Sequence, residues 1–350
     1  MALRVIQWAT GSVGRSAIRA ILAHPELELV GCWVHSADKA GRDVGELLGI
    51  PPIGVAATAD VDEILRADAD AVVYAPLLPN AGEVAALLQS GKNVVTPVGW
   101  FYPHERESAP LEAACDAGQA SLHGTGINPG GAVEVFPLML SAMSSEVTFV
   151  RGEEFSDIRT YGAPDVVRHI MCFGGTREEA EQGPMRKLLT GGFVQSMRML
   201  LDALGIADAE VRTVHDVAVA TAPIDSPIGT IAPGQVAGQR FCWEAVVAGD
   251  VVARIGVHWL MGDEHLDPPW TFGDGGERYE IEVRGVPDTH VVIKGWQPET
   301  VEAGLTSNPG IEATAAHCVN AVPYVCAAAP GIVTSLDLPL VAGRAAARLR

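Results

Sequence analysis

The sequence predicts an α/β protein: an N-terminal doubly wound parallel sheet, followed by an α+β part built on a mixed or antiparallel open sheet. Three observations carry that expectation. The first third alternates short β-rich runs with amphipathic stretches, and from about residue 145 long β-rich runs take over. The 350 residues also exceed what one core usually holds.

In order, "LRVIQWA" reads as a strand and "GRSAIRAILAHP" as a helix that starts after Gly14, keeps Ile18, Ile21 and Leu22 on one face and ends before Pro25. "LELVGCWVH" is the second strand, "VDEILRA" a short helix, "ADAVVYAP" a strand buried on both faces, and "NAGEVAALLQSG" a helix closed by Gly91. "KNVVTPV" is a strand, "ESAPLEAACDAG" a helix with Pro at its start, and "QASLHGTGINPGG" a strand entering a glycine-rich loop. In such sheets ligands bind beyond the carboxyl ends of the strands. The chemistry is therefore sought in loops 8–14, 35–42, 75–80, 97–104 and 124–131.

Further on, "EVTFVRGEEF", "AEVRTVHDVAVATAP", "RFCWEAVVAGDVVARIGVHWLMG" and "RYEIEVRGVPDTHVVIKG" read as successive antiparallel strands, with "EEAEQGPMRKLLTGGFVQSMRMLLDALG" as a helical insert. The tail "IEATAAHCVNAVPYVCAAAPG" is helix-like. A sheet with helices on one side buries its other face against a second copy, so a homodimer is expected.

Twenty-four basic against forty-three acidic residues give a formal charge of −19, which repels phosphate backbones and anionic head groups. Neither nucleic acid nor a membrane is an expected partner; a small-molecule substrate is. No run reaches signal-peptide or membrane-span length, so a cytoplasmic location is expected. The six cysteines form no CxxC pair, and no His/Cys pair stands at zinc spacing, so reduced thiols and no metal are expected.

"WATGSVGR" places Gly11 and Gly14 between a strand and a helix, where backbone N–H groups and a helix N-terminus meet a pyrophosphate. Thr10 and Ser12 add hydroxyl donors. An ordinary strand-to-helix turn is the alternative, and the position inside a βαβ unit at the start of the chain favours the dinucleotide. About 20 residues on, an acidic residue would read the ribose diol of NAD. Here the second strand ends at His35 and Ser36, neither acidic, while Arg15, Lys39 and Arg42 are near enough in sequence to meet a 2′-phosphate. NADP(H) is favoured; Asp38 leaves NAD(H) possible, and a merely solvated cationic face is the alternative.

"VIQWATGSVGRSAIRAILAHPELELVGCWVHSADKAGRDVGEL", "GTGINPGG" and "NAVPYVCAAAPGIVTSLDLPL" together resemble the dihydrodipicolinate-reductase-like family that includes 2,4-diaminopentanoate dehydrogenase and the native amine dehydrogenases. The resemblance implies a Rossmann NAD(P)-binding domain at 1–135, an α/β substrate and dimerisation domain at 136–305, and a segment, 306–350, returning to the first. It implies NAD(P)-linked interconversion of amines and carbonyl compounds. Trp8, Thr10, Gly11, Ser12, Val13 and Gly14 would carry the phosphates. Ala75, Pro76, Thr125, Gly126 and Asn128 would line the nicotinamide ribose, with Asn128 placed to hold the nicotinamide or the substrate.

Two departures from the family stand out. The His-His pair and lysine of the true dihydrodipicolinate reductases are missing from "EEFSDIRTYGAPDVVRHIMCFGG". The carboxylate that amine dehydrogenases place ahead of a Tyr-Pro is replaced in "VGWFYPHERE" by Val98 and Gly99, with Glu105 and Glu107 several residues late. Hydride transfer needs only one protein proton donor or acceptor, and Tyr102, His104, Glu105 and Tyr161 are the candidates. Each has a plain alternative as a packing or solvated residue. Glu154 and His169 also follow a strand, and Trp100, Phe101, Phe155 and Phe173 suit either an apolar pocket or the core. The expectation is an NAD(P)H-dependent oxidoreductase acting on C=O or C=N of a small, mostly apolar compound. The alternatives are a carbonyl or imine reductase without ammonia, and a non-catalytic NADP-binding sensor.

Overall fold

The computed structural model describes residues 2–349. They form two compact units, one reaching to Gly130 and resuming at Ile311, the other Gly131–Gly310. The family resemblance implies edges at 135/136 and 305/306. The difference at the first crossing comes from the turn Gly131–Val135, which packs on the second sheet.

In the first unit the order is β1 (Leu3–Trp8), α1 (Ser12–Ala23), β2 (Leu27–Trp33), α2 (Val44–Leu48), β3 (Ala57–Thr58), α3 (Val61–Arg66), β4 (Ala71–Tyr74), α4 (Ala81–Gln89), β5 (Asn93–Thr96), α5 (Glu105–Gly118) and β6 (Ser121–Gly124). All pairings are parallel, in the order β3-β2-β1-β4-β5-β6, and a C-terminal strand extends the β6 edge. This is the doubly wound Rossmann arrangement, whose order reverses beside β1. Val5 faces the core layer of Ile18, Ile21, Val319 and Val322, while Ile6 and Trp8 face the layer of Val84, Leu87 and Leu111. Alternation along one strand thus feeds two cores, as burial on both faces requires.

Two helices differ from expectation. The first starts at Ser12, not after Gly14, because a glycine in its first turn lets the helix press against the strand end; Leu22, at the edge of the Gly14, Ala17, Ile18, Ile21 stripe, is 44% exposed. The fifth starts at Glu105, so Pro110 lies inside it, on its exposed side. His104 caps that helix and moves its start upstream, since Nδ1 accepts the Arg106 N–H at 3.3 Å.

The second unit carries α6 (Phe136–Ser141), β7 (Val147–Asp157), α7 (Arg177–Gln182), α8 (Pro184–Leu204), β8 (Glu210–Ala220), β9 (Val236–Val247), β10 (Asp250–Leu260), β11 (Leu266–Asp267), β12 (Arg278–Gly285), β13 (Thr289–Ile293) and α9 (Val301–Thr306). The chain then runs into α10 (Pro309–Cys326) and β14 (Gly331–Ile332), the edge strand of the first sheet. The second sheet is mixed, in the order β11-β8-β9-β10-β7-β12-β13, with β10 parallel to β7 and the other pairs antiparallel. One face packs on α8, where Phe193 stacks on Trp243 at 4.5 Å. The other carries ion pairs, among them Arg151 with Glu153, Glu280 and Glu282, and Arg254 with Glu244. The helical insert breaks at Gly183 into α7 and α8, and all six cysteines are free thiols.

Candidate functional site: a strand-to-helix phosphate turn

The turn after β1 is shaped by backbone. Ala9 takes a left-handed conformation, φ 73°, and its N–H donates to Trp33 O at 2.9 Å. The buried Gln7 amide donates to the Trp8 and Ala9 carbonyls at 2.9 and 3.1 Å, fixing the exit of the strand. A Cβ on Gly14 would be driven into the Ala9 carbonyl, whereas one on Gly11 would meet nothing within 4 Å. Gly14 is therefore required by close packing of helix on strand, and Gly11 leaves the approach to the helix open. No side chain caps α1, so its first N–H groups, at Ser12, Val13 and Gly14, are available to an outside anion. These features fit the pyrophosphate of a dinucleotide.

The Trp8 side chain is wholly buried, stacked on Trp33 at 4.3 Å and tilted against Tyr74 at 5.7 Å, so its ring belongs to the core. Arg15 is exposed, and its Nη1 donates to Leu47 O of α2 at 2.7 Å.

In the loop after β2, His35 and Arg42 are exposed and Ser36 and Lys39 half-buried. Lys39 Nζ donates to Thr10 Oγ1 at 3.3 Å, joining this loop to the phosphate turn. Hydrogen bonds from the Ser36 side chain and from its own backbone N–H hold Asp38 below the usual carboxylate range, with Lys39 and Arg42 adding to the effect. Two cations thus surround one carboxylate at the end of β2.

Beside it, buried Ala75 donates its N–H to Trp8 O at 3.2 Å, and half-buried Pro76 opens the loop after β4. Thr125, Gly126 and Asn128 lie in the loop after β6, which turns through a cis Asn128–Pro129 bond. A Cβ on Gly130, φ 126°, would collide with the Gly126 backbone. His317 of α10 fastens this loop, and sequence reasoning missed it: Nδ1 is 2.9 Å from Gly126 O and 3.0 Å from Thr125 Oγ1. A carbonyl only accepts, so Nδ1 carries the proton, and burial lowers the ring's pKa. No local pattern announces a partner about 190 positions away.

Around the loop after β5, Val98 and Gly99 are half-buried, and Trp100 has φ 56°. The N-terminus of α5 brings Tyr102, His104 and Glu105 together within four residues. Because His104 Nδ1 accepts an N–H, the proton of the neutral ring sits on Nε2, and the residue is exposed. Glu105, also exposed, stands in the first turn, where a carboxylate suits the helix dipole. Phe101 is buried core.

In the second unit Glu154 lies within β7 rather than after it, and its Oε1 accepts the Trp259 Nε1–H at 2.9 Å. Tyr161 follows a 3₁₀ turn, half-buried, with its pKa pushed up by desolvation and by Glu154. His169 is exposed, Phe173 is core, and Phe155 stacks on His258 at 4.3 Å. Glu134 is fully buried: Ser196 Oγ donates to its Oε1 at 2.6 Å, and desolvation pushes its pKa up to about 8. Among the described residues no group of three or more His, Cys, Asp or Glu could hold a metal, and no helix is long and apolar enough to cross a membrane.

A doubly wound parallel sheet whose first turn leaves an uncapped helix N-terminus beside an open Gly11 and a required Gly14 defines a dinucleotide-binding protein. Residues 5–96 match the family described as dihydrodipicolinate reductase, N-terminus, and residues 133–348 match the 2,4-diaminopentanoate dehydrogenase C-terminal domain. The chain is 33% identical to an amine dehydrogenase of Streptomyces virginiae over 97% of its own length and 96% of that protein. It is 28% identical to the 2,4-diaminopentanoate dehydrogenase of Acetoanaerobium sticklandii, over 63% of this chain and 58% of that one. A solved amine dehydrogenase from Mycobacterium smegmatis shares the fold, with a TM-score of 0.78 at 22% identity over 98% of both chains. The chain belongs to the 2,4-diaminopentanoate dehydrogenase family, whose N-terminal part is dihydrodipicolinate-reductase-like, and is an NAD(P)-dependent oxidoreductase.

Proposed function

We propose that this enzyme interconverts a small, mostly apolar amine and its carbonyl counterpart, and that it prefers NADP(H). The observation that carries the reading is the near full-length likeness to an amine dehydrogenase, in a chain whose phosphate turn is built to receive a dinucleotide. When bound, the nicotinamide supplies or accepts the hydride. The protein's share is to hold the phosphates on the Gly11–Gly14 turn, to seat the ribose side against Ala75, Pro76, Thr125, Gly126 and Asn128, and to supply a proton. For the proton we favour the Nε2–H of His104, with Tyr102 and Glu105 beside it on the same loop and Tyr161 as the candidate of the second unit. Lys39 and Arg42, joined to Thr10 by the Lys39 bond, support recognition of a 2′-phosphate.

A second reading is favoured by one observation. Val98 and Gly99 stand where a proton-handling carboxylate would suit ammonia chemistry, which points to a carbonyl or imine reductase that uses no ammonia. Oxidation of NADPH and NADH, followed with ketones and aldehydes in the presence and absence of ammonia, separates the two. Turnover that requires ammonia is expected; equal turnover without it selects the second reading, and tight cofactor binding without turnover on any substrate rejects both.

The ion-paired face of the second sheet, with Val214 and Val292 also exposed on its strands, supports a homodimer. Light scattering of the full chain tests it, and a monomer at micromolar concentration would reject it.

A further inference from the structure

Arg15 and Arg19 stand one turn apart on α1, and each guanidinium donates one hydrogen bond to the last turn of α2. Arg15 Nη1 donates to Leu47 O at 2.7 Å, and Arg19 Nη2 to Leu48 O at 2.8 Å. Such terminal carbonyls have no partner within their own helix. With five residues, α2 has little stability of its own and takes its place from what holds its ends. Its other end is held by Asp43, whose carboxylate accepts the N–H groups of Gly45 at 2.7 Å, Ile53 at 3.0 Å and Gly54 at 2.8 Å.

Asp43 follows Arg42 directly. The turn bearing Lys39 and Arg42 is closed on its far side by Gly41 N–H to Ala57 O at 2.7 Å and Ala57 N–H to Arg42 O at 2.9 Å. A continuous chain of contacts therefore runs from the helix that begins at the phosphate turn, through α2 and Asp43, to the turn that carries Arg42.

We propose that Arg15 and Arg19 are positioning residues for cofactor discrimination: they hold the Lys39–Arg42 turn at the reach from which a 2′-phosphate is read, without touching the cofactor. The proposal rests on the NADP(H) reading given above. Arginine suits the task, because its planar fork holds a fixed geometry that a lysine ammonium does not reproduce.

The test is a double-mutant cycle on the full-length protein between Arg19→Met, which keeps the apolar stem, and Arg42→Ala, with KM and kcat measured for NADPH and NADH. Arg19→Met is expected to raise the ratio of KM for NADPH to KM for NADH about fivefold, with kcat within about twofold. Arg42→Ala should raise it by about tenfold or more, and in the double variant the Arg19 effect on the ratio should vanish. Arg15→Lys, which retains the charge, should move the ratio in the same direction, and it carries the test if Arg19→Met fails to fold.

Equal rises in both KM values, or an Arg19 effect that persists in full without Arg42, would overturn the proposal. The two readings fail differently. If Lys39→Ala and Arg42→Ala leave the ratio unchanged, the NADP(H) reading itself is wrong; if they change it and both arginine variants of α1 do not, only the positioning role is lost.

Discussion

The two units use their polar groups in opposite ways. In the first, the ligand end of the sheet is made of backbone: an uncapped helix start, a left-handed Ala9, and a glycine that cannot accept a Cβ. In the second, polarity is carried by side chains: Glu134 of the Gly131–Val135 turn against Ser196 of α8, and, across the mixed sheet, Glu154 against Trp259 and Arg151 among three glutamates. A backbone site is set by a few consecutive residues. A side-chain site is set by which strands and helices meet, and that is a property of the whole chain.

The contrast can be broken most severely at Gly14. In Gly14→Val the new side chain meets the Ala9 carbonyl, a backbone atom with nowhere to go, so the turn must open. The expected outcome is a loss of NADPH affinity of at least about a hundredfold, with on the order of 2–3 kcal/mol of stability. Fluorescence titration and thermal unfolding measure the two; unchanged affinity would mean the cofactor is held elsewhere.

At Glu134 the second unit gives the converse test. The carboxyl accepts one hydrogen bond, Oε2 has no partner among the described residues, and its pKa stands at about 8 against an ordinary 4.5. Because the folded form holds the proton more tightly than the unfolded one, stability falls as pH rises from about 4.5 and levels off above about 8. Glu134→Gln, neutral at every pH and able to keep the Ser196 bond, should remove that loss and stabilise the protein by roughly 3 kcal/mol at pH 9. Near pH 4 it should change little. Denaturant unfolding across pH would show it, and parallel curves for the two proteins would sink the explanation.

His104 sharpens the comparison with a smaller effect, since there a side chain works at the backbone-built end. Asparagine keeps the N-cap and removes the Nε2–H, so His104→Asn is expected to lower kcat about tenfold with the melting temperature unchanged. If the melting temperature alone changes, the histidine only caps the helix.

How much could be read in advance follows the same division. "WATGSVGR" displayed the phosphate turn because strand, glycines and helix lie within a dozen residues. It did not show that the Trp8 ring would turn into the core, or that Arg15 would donate to the Leu47 carbonyl, 32 residues away. "VGWFYPHERE" showed which residues were on hand, but not that His104 would fix its tautomer by capping α5. His317 and Ser196 carried no signal at all, since their partners lie in other parts of the chain.

By itself the sequence determined a parallel βαβ unit with its glycine-bearing turn, because period, punctuation and glycine placement act over a single strand, turn and helix. Only the tertiary structure decided that β10 runs parallel to β7 between antiparallel neighbours, that a buried carboxyl meets Ser196, and that two arginines of α1 serve α2. The alternation of a strand is the same whichever way its neighbour runs, and a hydrogen-bond donor finds its acceptor only after long-range packing has chosen who stands beside it.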